Sequence, residues 1–138
     1  MLIMTINTLH SGHSSDSHIK KLRKEISAWK TRLYLRMEEN LVLKDMLAEI
    51  LKNNFDHSHL DQIEEFQNSF INEEQVTNDL RKAIVELQKQ SFKILDNSMQ
   101  KDGFDGKIRK FNEELKQSDL RFQSMVSSFL SFRNQING

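Results

Sequence analysis

The residues whose types and spacing could do chemistry are the histidines and the paired carboxylates. Three of the five histidines, His10, His13 and His18, lie in LHSGHSSDSH, and the other two, His57 and His59, in NNFDHSHLD just before Asp61. Imidazole and carboxylate are zinc ligands, but zinc needs three or four converging donors held by hydrogen-bonded neighbours. If the chain between the clusters is one helix of about 35 residues at ~1.5 Å each, His18 and His57 stand on the order of 50 Å apart and cannot share an ion. A local site from His57, His59 and Asp61 lacks residues that would fix the rings, and no HExxH or ExxH pattern accompanies it. Solvated or capping histidines are the expectation.

The doublets Glu38/Glu39, Glu64/Glu65, Glu73/Glu74 and Glu113/Glu114 raise a carboxylate di-metal reading. Adjacent helical residues point about 100° apart, so a doublet cannot put both carboxylates on one ion. The chain has no Cys, which rules out a thiolate nucleophile, a disulfide framework and a Cys-based zinc site. It also has no glycine-rich phosphate loop and no nucleophile elbow. These absences predict a protein that is not an enzyme and has no cofactor and no metal site.

The elements that position these residues are predicted to be helices. Pro is absent and only four Gly occur, Gly12, Gly103, Gly106 and Gly138, so long stretches carry nothing that must interrupt a helix. Ile108, Phe111, Leu115, Ser118, Phe122, Met125, Phe129, Phe132 and Ile136 alternate in steps of three and four, as a heptad seam does. Ile19, Leu22, Ile26, Trp29 and Leu33 do the same, after which the apolar pattern slips to Met37 and Leu41, a stutter that would locally unwind a supercoil. A third seam runs from Ile63 through Phe66, Phe70, Glu73, Thr77, Leu80, Ile84, Leu87 and Ser91 to Ile94.

NNFDHSH and KDGFDG are the predicted turns. Ser58 and Asp61 resemble a capping box; Asp102 and Gly103 would end the second helix, and Asp105 would cap the third. The resulting fold is an all-α antiparallel three-helix coiled-coil bundle with long helices and short turns. Its helices cover about residues 17–54, 58–101 and 105–136. A loosely ordered leader, 1–16, precedes a bundle domain, 17–138. With no basic start and no long apolar run, the leader is not read as a signal peptide or a membrane span.

The segment IEEFQNSFINEEQVTNDLRKAI, with HIKKLRKEISAWKTRL before it, resembles a group of small, uncharacterised bacterial helical proteins of the Bacteroidetes type. The likeness covers the first two helices, about half the chain. It implies a helical hairpin and no activity. The single Trp in the first of three long helices is similar to spectrin-type repeats.

An antiparallel hairpin turning near Asp56 pairs residues whose numbers sum to about 112. The polar residues Arg36 and Asn40 then fall beside Glu73 and Thr77, which predicts a polar layer with an Arg36–Glu73 pair that fixes register. A second turn near Phe104 makes the corresponding sum about 207 and leaves Gly138 level with Ser69. The hairpin beyond that level would lack a third helix and would expose Leu47, Ile50, Leu51, Phe55, Leu60, Ile63 and Phe66 as a partner-binding tip.

Net charge is zero, but its distribution is uneven. His18–Arg36 holds seven basic residues and one acidic, Leu80–Lys110 eight and four, and Met37–Asp79 two and eleven. In the hairpin alignment this makes a dipolar rod, which favours antiparallel or head-to-tail association. The expected function is a cytoplasmic, noncatalytic interaction or scaffold module that binds protein and forms a homodimer or larger homo-oligomer. The alternatives are nucleic-acid binding by the basic end, through KKLRKEISAWKTR and KIRK, and a helical-bundle metal protein. Nucleic acid is disfavoured because the aromatics are seamed inward and no recognition-helix motif is present.

Overall fold

A computed structural model describes the backbone of residues 2–53, 56–94 and 98–137, and the side chains of residues 17–53, 56–94 and 103–137. The protein is all-α. Helix α1 spans Leu2–Asn53, α2 Leu60–Lys93 and α3 Ser98–Asn137, with one 3₁₀ turn at His57–His59. The expected leader, 1–16, falls on residues whose side chains lie outside those described.

Facing pairs set the helix directions. Trp29 meets Phe111 with ring centres 5.3 Å apart, and Arg36 meets Ser118 and Asp119; the near-constant offset means that α1 and α3 run parallel. Arg23 reaches Ser91 and Asn40 reaches Phe70, both at backbone carbonyls, so α2 runs opposite to α1. Phe70 against Phe129 and Lys107 against Gln90 give the same opposition between α2 and α3. The result is an up, down, up three-helix bundle in which the backbones of α1 and α3 each approach α2 more closely than they approach each other.

The α1 seam is continuous. Ile19, Leu22, Ile26, Trp29, Leu33, Arg36, Asn40, Leu43, Leu47 and Ile50 are all buried, alternating in threes and fours as a heptad stripe requires. The predicted stutter does not occur: Leu41 is exposed and Met37 only partly buried. The stripe instead passes through polar residues that find partners on the other helices.

The first turn falls where the sequence placed it, but its cap differs. Asp56, in extended backbone, accepts from Ser58 N at 3.1 Å, and His59 N donates to Asp56 O at 3.0 Å. Ser58 lies inside the 3₁₀ turn, and α2 begins after His59 with no side-chain cap, so the Ser58–Asp61 capping box is not formed. Asp56 satisfies the free amide instead, as an aspartate N-cap does.

The second break lies upstream of its predicted place. α2 ends at Lys93 and α3 begins at Ser98, so KDGFDG is helix. Gly103 and Gly106 have no positive φ, and Asp102–Gly103 does not end α2, nor does Asp105 cap α3. Two helical glycines cost about 1 kcal/mol each. Burial of Phe104 and Ile108 in the seam beside Ile94 and Leu87 opposes that cost, at about 1.5–3 kcal/mol for each large apolar side chain.

Candidate functional site

The earlier break carries α3 further along the hairpin than the sequence alignment allowed. Phe132 stands 5.2 Å from Phe66 and 5.9 Å from His59, ring centre to ring centre, so α3 reaches the first turn. Phe129 meets Phe70 and Phe66 edge-on at 5.1 and 5.3 Å, a favoured aromatic geometry. The predicted tip is therefore core: Leu47, Ile50 and Ile63 are 2–4 % exposed, and Phe66 packs against the same cluster. Of the seven residues assigned to partner binding, Leu51 and Leu60 are exposed, and Phe55 lies outside the described residues. The apolar tip is thus corrected to a sealed end, covered by the chain's own third helix.

The polar layer is present, with different partners. Arg36, Asn40, Glu73, Thr77 and Ser118 are buried together and divide the core into two apolar clusters, one built around Trp29 and Phe111 and the other around Phe70 and Phe129. The predicted Arg36–Glu73 pair does not form. Arg36 donates to Ser118 and to Asp119, which also binds Arg32. Arg121 Nε donates to Glu73 Oε1 at 2.7 Å, and Asn40 Nδ2 to Phe70 O at 2.9 Å. Glu73 Oε2 and Asn40 Oδ1 are buried without a hydrogen-bond partner. Both charged residues of the layer are therefore neutralised from α3, the helix left out of the sequence argument.

Metal-ligating residues do not gather. Among the described residues, no group of three or more His, Asp or Glu side chains converges. His18 faces Asp105 at 3.5 Å, at the opposite end of the bundle from His59. Glu73 turns inward to Arg121 while Glu74 binds Lys44 on the α1 side, so this doublet splits as adjacent helical residues must.

The surface feature that sequence reasoning missed lies at mid-rod. With the α1 seam fixed at Leu33, Arg36, Asn40 and Leu43, the residues furthest from it include Tyr34, Leu35, Leu41 and Val42, and each is more than half exposed. At about 200 Å² per fully exposed side chain, their exposed areas sum to roughly 400 Å², comparable with the largest apolar patch of an ordinary monomer, which is often functional. Glu38 sits between the two pairs. Its hydrogen bond and charge hold the Tyr34 hydroxyl pKa above its ordinary value.

Beside Tyr34 and Leu41, a recess of about 270 Å³ opens between α1 and α2, with Met37, Asn40 and Thr77 in its lining and the Lys44–Glu74 pair and Arg81 also bordering it. The signal was available in the sequence: four large apolar residues in nine, at positions that a heptad leaves to solvent. The stutter reading hid it by taking Leu41 as core.

No helix among the described residues is long and apolar enough to cross a membrane. Comparison with known proteins finds no matching family model, no matching curated protein and no matching solved structure.

Proposed function

We propose that the protein is a noncatalytic coiled-coil interaction module of the cytoplasm, binding protein through the outward face of α1 at mid-rod. The observation that carries this reading is the cluster of Tyr34, Leu35, Leu41 and Val42, exposed together on a helix whose seam is fully occupied elsewhere. Scattered exposed apolar residues need no explanation, whereas four within nine residues on the outward side of one helix, flanking Glu38 toward α2 and toward α3, call for one. The rigid three-helix body supplies a long, preformed surface, so little ordering cost accompanies docking.

Photo-crosslinking in the native cell tests this reading. A photoreactive residue at Leu41 is expected to give protein adducts, and one at Lys116, exposed on α3, is expected to give few or none. Adducts at Lys116 but not at Leu41 would remove the α1 face from consideration.

A further inference from the structure

We infer that the partner of the α1 face is a second copy of this chain, lying antiparallel, with the two-fold axis passing beside Glu38. This rests on the reading of that face as a protein-binding surface and adds the partner's identity and direction. The first argument is the symmetry of the patch. Tyr34 and Leu35 stand three and four residues before Glu38, and Leu41 and Val42 three and four after it. A two-fold axis at Glu38 therefore lays the first pair of one copy on the second pair of the other, which is what a self-complementary isologous contact requires.

The second argument is charge. Outward on α1, Lys20, Lys21 and Lys24 precede the patch, and Asp45, Glu49 and Lys52 follow it, all of them exposed. In an antiparallel pair Lys24 of one copy comes level with Lys52 and within a helical turn of Glu49 of the other, so the three lysines of one end lie along two carboxylates and one lysine. In a parallel pair lysines would face lysines and carboxylates carboxylates, which opposes that arrangement. The small residues Ala28 and Ala48, placed symmetrically ten before and ten after Glu38, allow the two helices to approach on both sides of the axis.

The patch is smaller than the interface of a tight permanent dimer, so dissociation in the micromolar range is expected. Glu38 meets its own copy at the axis, and this like-charge contact weakens the pair further.

Sedimentation of the full chain from about 1 to 300 μM is expected to show monomer passing to dimer. Leu41→Glu, with its helical circular dichroism unchanged, is expected to remain monomeric, and Glu38→Gln to dimerise several-fold more tightly. The natural chain has no cysteine, so single engineered cysteines report the direction. Glu38→Cys is expected to oxidise to a disulfide-linked dimer. Lys24→Cys should not link to itself, since its two copies lie about 42 Å apart in this pairing, but it should link to Lys52→Cys in a mixture of the two variants.

A chain that stays monomeric throughout, or a Lys24→Cys protein that links readily to itself, overturns the antiparallel pair. So does a dimer that leaves Glu38→Cys unlinked. None of these results removes the α1 face as a binding surface for another protein, which the Leu41 photo-crosslink decides separately.

Discussion

Arg36 of α1 pairs with Asp119 of α3, across the side of the bundle where the two backbones stand furthest apart. Arg36 is almost wholly buried and Asp119 largely so, while Arg32 reaches the same carboxylate from one turn earlier. One carboxylate thus bonds two guanidinium groups, one through each oxygen, and ties the parallel helices together at mid-rod.

Removing that carboxylate should cost more than removing the buried cation. Asp119→Ala leaves Arg36 buried with Ser118 as its remaining hydrogen-bond partner, and a loss of about 2–4 kcal/mol is expected after allowing for the partial exposure of Asp119. Arg36→Met fills similar volume and leaves Asp119 to Arg32, so a change within about 1 kcal/mol is expected. Urea unfolding of the two variants checks the order; equal losses would show that the buried cation does not depend on Asp119.

The glycines of KDGFDG give a second test. A Cβ built at Gly103 or Gly106 meets nothing within 4 Å, and both residues lie inside α3. Gly103→Ala and Gly106→Ala are each expected to stabilise by about 0.5–1 kcal/mol, because alanine loses less backbone entropy in a helix. Thermal melts should rise by a few degrees for the double variant. A fall would point to a turn at this segment.

That segment is also where the sequence was hardest to read. The three apolar stripes, the first turn and the burial of Arg36, Asn40, Glu73 and Thr77 follow from heptad spacing alone, because a residue at a seam position goes inward whatever its polarity. The second turn does not follow: glycine marks where a helix can stop, and Phe104 and Ile108 hold this one together through two glycines. That displacement also accounts for the tip: a third helix begun near Asp105 ends level with Ser69, whereas one begun at Ser98 covers the first turn. Other departures have other causes: the partners of Arg36 and Glu73 come from α3, the α1 seam continues through Arg36 and Asn40 where apolar spacing alone suggests a stutter, and Asp56 rather than Ser58 caps the first turn.

Acid should act on the first turn through Asp56. Hydrogen bonding from Ser58, chiefly from its backbone amide, lowers the Asp56 pKa below the ordinary aspartate value. A folded-state pKa below the unfolded one means that the cap's contribution is fully present above the ordinary aspartate range and is lost as pH falls through the lowered value. Carboxyl NMR titration should place the Asp56 midpoint below those of exposed aspartates, with the Ser58 amide shift following the same curve. Asp56→Asn keeps an acceptor and should abolish this acid-dependent shift, whereas Asp56→Ala should fray the turn at every pH.

Glu73 and Arg121 should show the reverse of what their exposure suggests. Arg121 is more than half exposed and Glu73 almost wholly buried, so simple burial arithmetic would make Glu73 the costlier residue to lose. Yet Glu73 carries one carboxylate oxygen with no hydrogen-bond partner, and its desolvation is offset mainly by the bond from Arg121. Arg121→Ala strands that charge inside the bundle and is expected to cost about 2–3 kcal/mol. Glu73→Met removes the buried charge, fills the seam and returns Arg121 to water, so stability should stay level or rise by about 1 kcal/mol. The loss should then appear in register rather than in stability: with the charged α2 member of the polar layer gone, α2 can slide by a heptad against α1 and α3 at lower cost. Broader amide hydrogen exchange along α2 in Glu73→Met, at unchanged or higher urea midpoint, is the expected signature. A large drop in midpoint would mean that the Glu73–Arg121 pair stabilises the fold outright.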